Sequence, residues 1–497
     1  MSAAEAYRAA LVGRVVETDL SGFDRTGACV HSVALLDHPV GNGIGYGPDR
    51  TAARTSAFGE LVEWTRSYAV LSTTTPREAS YAQLRATGEP VQDPRTLCLE
   101  AGSAYHDDRP LQWLQARRLR DDAPVWVPVD LLASRSVDLP PGERLTTAVT
   151  NGLGAGLEPD RALSHALLEL LQRDGNGLVF RALDRGVVVD LDGLADPAAL
   201  DVLARLRAAG VEPVVKLAST ELGLTNVYAV GLDDAPDEPI SATACGEASH
   251  PDREVAVRKA LLELCSSRAR KAFAHGSLDR VRSVAGDDYL DRYLAALPPD
   301  AVEREEPRAL QAMARWLALP PGELRALLED SVLSRRDEVA LADLPTTPGL
   351  SSTTALREDV VGRLHGAGLD VLVLDLSGGG GDGGGTDGGG ADGAGVHAVK
   401  AVVPGLEVET MSYGRIGERG VRRALSLGLP FVRVGDDPGG WSAVHLTAEA
   451  QERLGGPAWL DRQAVTAAVG ALYPLYREPA RHLAQLSGLA AASAGSS

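Results

Sequence analysis

Three stretches of the chain set a carboxylate among small and apolar residues and follow it with a second polar group three residues later. In SAFGELVEW these are Ser56, Glu60 and Glu63. In HALLELLQRD they are Glu169, Gln172, Arg173 and Asp174. In KALLELCSSR they are Glu263, Ser266, Ser267 and Arg268, with Lys259 leading. Residues three or four apart share a helix face. Each stretch, as a helix, aims a polar cluster at one point while the remaining stripe packs. Glu60 has only Ser56 and Trp64 at four-residue spacing, so it lacks an ion-pair partner on its own helix. Glu169 has Arg173 four residues on and Glu263 has Lys259 four residues back, so each of those helices alone also fits a solvated ion pair. A partly buried carboxylate without compensation is costly. Three such helices in one chain favour a shared site over three coincidences.

Several glutamates at one point repel each other. Mg2+ takes oxygen ligands, commonly a few carboxylates together with substrate phosphates, and arginines grip phosphate oxygens. A nucleotide triphosphate with Mg2+ therefore fits the pattern. In the TNGLGAG turn, Asn151 can donate to a phosphate or the nucleotide, and the helix that follows presents an anion-binding N-terminus. Lysine occurs only at positions 216, 259, 271 and 400, and none follows glycine. The GxxxxGK[ST] loop is absent, so ATP would be held without a P-loop.

The elements that must position these groups alternate. GRVVETDL and ACVHSVALLD are predicted strands, GNGIGYG (41–47) a glycine-rich loop, and 49–71 a helix. The TNGLGAG turn leads into a helix ending near 183. VVVDL, a helix near 197–209, EPVVKLAST and TNVYAVGLDD follow, and then a helix over 252–274. Residues 286–345 are charged and helical in pattern. LDVLVLDL breaks off into the glycine tract 377–395, which is read as a flexible surface loop. The expected organisation is a core over 1–285, a charged helical insertion over 286–345, a second core part over 346–440 containing the 377–395 loop, and a C-terminal helical extension with a disordered tail over 441–497.

The chain has 497 residues, a net charge of −19 and four scattered cysteines, Cys29, Cys98, Cys245 and Cys265. The acidity argues against a nucleic-acid surface. No apolar run is long enough for a membrane span, the N-terminus is unlike a secretory signal, and the cysteines lack CxxC pairing, so a cytoplasmic protein without a zinc ribbon is expected. His31, His165, His250 and His397 show no ligand spacing. Arg415, Arg419, Arg422 and Arg423 form either a solvated basic face or a contact for an acidic leader peptide.

The ordered set of motifs resembles the YcaO family. Ser-x-x-x-Glu-x-x-Glu-Arg appears as Ser56, Glu60 and Glu63, with Trp64 where arginine is usual. An Asn-Gly turn followed by Glu-x-x-Glu/Gln-Arg-Asp appears as Asn151, Gly152, Glu169, Gln172, Arg173 and Asp174. Arg-Ala-x-x-Glu-x-x-Gln-x-Arg appears as Lys259, Ala260, Glu263, Ser266 and Arg268. The late Arg-Val-x-x-Pro-Gly-Leu-Glu segment appears as Lys400, Pro404, Gly405, Leu406 and Glu407. The resemblance implies an α/β YcaO-like fold, with mixed and antiparallel sheets, packed helices and no P-loop. It implies a homodimer that uses ATP and Mg2+ to activate a backbone amide of a ribosomally made precursor peptide. A nucleophile adds to the carbonyl, the oxygen takes the γ-phosphoryl group, and phosphate leaves. The product is an azoline, thioamide or amidine. A partner protein for leader recognition or sulfur delivery is a further implication. Carried over residue by residue, Ser56, Asn151, Arg173, Arg268 and Lys400 would bind ATP, and Glu60, Glu63, Glu169, Gln172 and Glu263 would bind Mg2+. No general acid or base is assigned. Azoline-forming members often end in a PxPxP tail, whereas this chain ends QLSGLAAASAGSS, which favours thioamide or amidine formation. The changes at Trp64, Lys259 and Ser266 keep open an alternative, a catalytically degenerate member that binds a precursor peptide or a partner enzyme.

Overall fold

The computed structural model describes the chain except residues 37–41, 136–138, 140–143, 179–180, 379–394, 408–412 and 495–497. The glycine tract therefore lies almost wholly outside the described residues. Four sheets are present among them. β1 (Val15–Asp19), β2 (Cys29–Leu35) and β3 (Asn42–Gly47) form an antiparallel meander. β4 (Arg77–Ser80), β5 (Pro110–Arg118), β6 (Pro124–Pro128), β7 (Leu153–Gly156), β13 (Leu372–Asp375) and β14 (His397–Val402) form a six-stranded sheet ordered β4-β5-β13-β14-β7, with β6 on β5. β8 (Val187–Asp190), β9 (Glu212–Ser219), β10 (Thr225–Leu232), β11 (Cys245–His250) and β12 (Asp337–Ala340) form a mixed sheet, in which β12 runs parallel to β8. β15 (Val432–Val434), β16 (Ser442–Ala443) and β17 (Ala458–Leu460) make a small fourth sheet. This is the expected α/β fold of mixed and antiparallel sheets with packed helices.

After α1 (Ala3–Ala9), the first long helix is α2 (Arg50–Thr73). α3 (Tyr81–Thr87) and α4 (Val129–Leu132) are short. α5 (Pro159–Asn176), α6 (Pro197–Ala208) and α7 (Arg253–His275) follow. Three strand–helix units stand out: β3–α2, β7–α5 and β11–α7. In each, the helix begins three residues after the strand ends, behind an acidic residue, Asp49, Glu158 or Asp252. Asp49 and Asp252 accept backbone N–H groups of the first turn, at 2.8 and 2.9 Å, which satisfies donors that a helix start leaves open.

The stretch GNGIGYG is thus a strand from Asn42 onward, where a loop was expected. The reason is steric. A Cβ on Gly43 or Gly45 would overlap the backbone of α2 at Ala53, Ser56 and Ala57, so glycine lets the helix lie directly on the strand. Gly154 under α5 and Gly246 under α7 do the same.

The three units close on each other. α2 lies on β3 and also reaches β7; α5 lies on β7 and reaches β11; α7 lies on β11 and reaches β3. The apolar stripes are fully buried: Ala57, Leu61 and Val62 of α2, Ala166, Leu167 and Leu170 of α5, Ala260, Leu261 and Leu264 of α7. That leaves the polar faces of the three helices turned toward one region.

The helical segment begins earlier than expected, with α8 (Leu278–Ala285), and continues through α9 (Asp287–Ala296), α10 (Ala301–Arg304), α11 (Pro307–Ala318) and α12 (Pro321–Glu329). Its expected range also includes strand β12, which rejoins the third sheet. Buried Lys216 of β9 anchors it, pairing with Asp184 and donating to the Val332 carbonyl at 3.0 Å. Residues 441–497 depart from a helical extension, because β16 and β17 pair there, β17 also with β15. Among the described residues no helix is long and apolar enough to cross a membrane.

Candidate functional site

The polar faces of α2, α5 and α7 line two cavities that share a wall. The larger, about 770 Å³, is lined by Ser56, Glu60, Glu63, Glu169, Gln172, Arg173, Glu247 and Glu263, and by Arg161, His165 and Lys259. The smaller, about 450 Å³, shares Tyr46, Glu60, Trp64, Arg173, Glu247 and Glu263 with it. Of the ten residues proposed from sequence, Ser56, Glu60, Glu63, Glu169, Gln172, Arg173 and Glu263 meet here.

Each carboxylate is placed by a hydrogen bond to a neighbouring strand or turn. Glu60 accepts the Ile44 N–H at 2.6 Å and Glu63 the Ala155 N–H at 2.9 Å. Glu169 accepts the Gly152 N–H at 3.0 Å, and Glu263 accepts from the Tyr46 hydroxyl at 3.1 Å. Glu169 also lies 3.6 Å from Arg173. The helix pair is therefore present, but inside the cavity wall rather than on an open surface.

The electrostatics are unbalanced. Burial, opposed by the Ile44 N–H and reinforced by Glu169, pushes Glu60 up to about 7. Burial, then Glu169 and Glu60, drives Glu63 well above the ordinary carboxylate range. Burial and the nearby Glu247 raise Glu263. Mutual repulsion of buried carboxylates disfavours the charged forms, and a divalent cation at this wall removes that penalty. Among the described residues no group of three or more His, Cys, Asp or Glu is placed to hold a metal ion by itself. Arg161, Arg173 and Lys259 supply positive charge around the same cavity.

Glu247 of β11 was missed. It is buried and accepts from Arg173 at 2.8 Å, Arg181 at 2.9 Å, Asn176 at 2.8 Å and Gln172 at 3.2 Å. Its arginines hold it below the ordinary range despite burial. It fixes Gln172 and Arg173 in the wall. Tyr46, Arg161 and Lys259 were also unassigned, although Lys259 was visible at the motif position. His165, read as an ordinary histidine, lines the larger cavity 3.7 Å from Glu63. Trp64 stands where the two cavities meet, and the Arg135 guanidinium lies 5.6 Å from its ring centre.

Three proposed residues lie elsewhere. Arg268 is buried on the far side of α7, donating to Asp24 at 3.0 Å and Asp233 at 2.7 Å. It follows Glu263 by five residues, about 140° around the helix, so it cannot share that face. Arg270, seven residues on, does share it and lines the smaller cavity. Lys400 is buried on β14 and donates to the Val149 carbonyl at 2.6 Å. Lys400 and Asn151 are both outside the residues that wall either cavity. The arginines of 411–425 are engaged within the chain. Arg415 binds the Cys98 carbonyl, Arg419 pairs with Asp174, Arg422 with Glu418 and Arg423 with Glu221.

An uncharacterized protein of Methanothermobacter thermautotrophicus is 28% identical over 423 residues, covering 82% of this chain and 94% of its own length. An uncharacterized protein in the tfuA 3' region of Rhizobium leguminosarum bv. trifolii is 29% identical over 236 residues, 45% of this chain and 54% of its own. Two solved structures share the fold. YcaO from Methanopyrus kandleri bound with AMPPCP and Mg2+ has a TM-score of 0.54 at 21% identity, over 83% of this chain and 91% of that one. A heterocyclase in complex with substrate and cofactor has a TM-score of 0.58 at 17% identity, over 86% of this chain and 55% of that one. The family model for the YcaO cyclodehydratases, which bind ATP and Mg2+, matches residues 44–407, and on that match the chain belongs to the YcaO family.

Proposed function

We propose that this protein uses ATP and Mg2+ to activate a backbone amide in a ribosomally made precursor peptide, giving an azoline, a thioamide or an amidine. The observation that carries this reading is the carboxylate wall. Glutamates from three helices enclose one cavity, where burial and their mutual repulsion raise Glu60 and Glu63. Glu60, Glu63, Glu169, Gln172 and Glu263 would hold Mg2+, which neutralises charge on a transferring phosphoryl group. ATP supplies the phosphoryl group that turns an amide oxygen into a leaving group.

The remaining roles belong to the chain. Arg173 is oriented by Glu247 and so enters the cavity pre-positioned. Lys259 keeps a cation where the family motif has arginine, and it lines the nucleotide cavity. This retention supports the enzyme reading over a degenerate binding protein. A homodimer and a partner protein for leader recognition or sulfur delivery complete the reading.

Calorimetric titration with ATP, with and without Mg2+, tests it. One Mg2+-dependent site per chain is expected. Glu169→Gln and Glu263→Gln should each weaken Mg-ATP binding by tenfold or more, roughly 1.4 kcal/mol, while the chain stays folded. Unchanged affinity in both variants removes these glutamates from the site. Mass changes in a peptide encoded beside this protein then identify the product.

A further inference from the structure

The smaller cavity has its own composition. The groups it does not share with the larger include Arg181, Arg270, Lys271, Thr243 and Cys245, with Leu475 and Glu478 from the C-terminal segment. Those last two lie outside the matched range 44–407. Glu478 accepts from Arg270 at 2.8 and 3.2 Å, from Lys271 at 3.0 Å and from His275 at 3.1 Å. Lys271 also donates to Thr243 at 3.0 Å. The segment is held from behind by the helical insertion, where Trp316 donates to the Ala471 carbonyl at 2.8 Å and the Tyr473 hydroxyl meets Glu306 at 2.7 Å.

The geometry sets a division of labour. The two cavities meet at the wall of Glu60, Glu247 and Glu263, so a group that enters the smaller one reaches these carboxylates from the side opposite the larger. That side carries three cations: Arg181 pairs with Glu247, and Arg270 and Lys271 share Glu478. Burial alone would raise Glu478, yet Arg270 and Lys271 hold its carboxyl well below the usual range, so it is charged. Without Glu478, buried Lys271 and the partly exposed Arg270 beside a phosphoryl-transfer site would draw in free phosphate or another small anion. The Glu478 carboxylate offsets one of those two charges and so weakens that pull.

We propose that the smaller cavity receives the acceptor, a neutral group such as a peptide backbone amide, and that Glu478 is the positioning residue that holds Arg270 and Lys271 and lowers the cavity's pull on anions. The proposal rests on the nucleotide reading of the larger cavity.

Cys245 reports on this charge balance from inside the cavity, within electrostatic reach of Arg181, Lys271 and Arg270. The full-length protein is alkylated with iodoacetamide, which is neutral, and with iodoacetate, which is an anion. Rates at Cys245 are read by peptide mass mapping, with Cys29 as the internal reference. Glu478→Gln should raise the iodoacetate-to-iodoacetamide rate ratio at Cys245 about fivefold or more, leave the ratio at Cys29 unchanged, and be reversed by Glu478→Asp. Lys271→Gln should lower the Cys245 ratio below that of the parent, which keeps the test open if Glu478→Gln fails to fold. Equal acceleration by both reagents would mean that Glu478 only plugs the cavity, and overturns the proposal. So does an unchanged ratio in both variants. Mg-ATP calorimetry on the unmodified protein separates the two readings. Its failure removes the nucleotide and acceptor assignments together, while the alkylation ratio still decides whether Glu478 sets the cavity's charge.

Discussion

The two faces of α7 hold charge in opposite ways. On one, Arg268 sits between Asp24 and Asp233, all buried, and its guanidinium is held above its ordinary range by those aspartates despite the opposing effect of burial. On the other, Glu263 faces Glu247 and the glutamates of α2 across a cavity, and burial and Glu247 raise it too, which for a carboxyl favours the neutral form. The first cluster is complete within the chain and serves the fold. The second stays raised by burial and by its neighbouring carboxylates despite Arg173 and Lys259, and that unrelieved cost is the mark of a ligand. A buried ion pair by itself is weak evidence of function; buried carboxylates that raise each other, in a cavity, point to what must fill it.

The comparison breaks most sharply at the complete cluster. Arg268→Ala should destabilise the protein by about 3–5 kcal/mol, because it leaves buried Asp24 without its cation and Asp233 with Arg25 alone, as a fall in the midpoint of chemical unfolding will report. Next is the strand beneath α2. Gly45→Ala sets a methyl group into helix backbone and should cost about 1–3 kcal/mol, read in the same unfolding experiment. At the second cluster the sign reverses. Glu63→Gln removes one of the repelling charges, so the ligand-free protein should unfold at an equal or higher denaturant concentration while Mg-ATP affinity drops by roughly tenfold.

The smallest effect sharpens the contrast by pH. Glu60 has a folded-state pKa of about 7 against an ordinary 4.5. Between those values the native chain binds the extra proton, so ligand-free stability from this group is greatest at low pH and is lost as pH rises toward and past 7. As a proposed Mg2+ ligand, Glu60 would bind in its ionised form. Titration at pH 6.5 in buffers of different ionisation enthalpy should therefore show proton release on binding, diminishing by pH 8.5. Proton uptake, or none at either pH, would place Glu60 outside the metal's reach.

The three glutamate helices were legible because helical spacing is local: Ser56, Glu60 and Glu63 share a face whatever lies beyond them. The same rule excludes Arg268 and admits Arg270, so that error was avoidable. The strand character of GNGIGYG was not legible, since glycine normally weakens a strand and its use here depends on a helix lying against it. Glu247 sits on a buried strand with no spacing signal, and Glu478 reaches α7 from 208 residues away along the chain.

The sequence alone determined the three helices, the carboxylates they carry, the absence of a P-loop and the family resemblance, because periodicity and motif spacing act within a few residues. Only the tertiary structure decided which strand each helix covers, which arginine enters the site and which is sealed in the core, and that a glutamate from the C-terminal segment walls the second cavity. Those outcomes depend on long-range packing and on whether each buried charge finds its counter-charge inside the fold, and no local pattern encodes either.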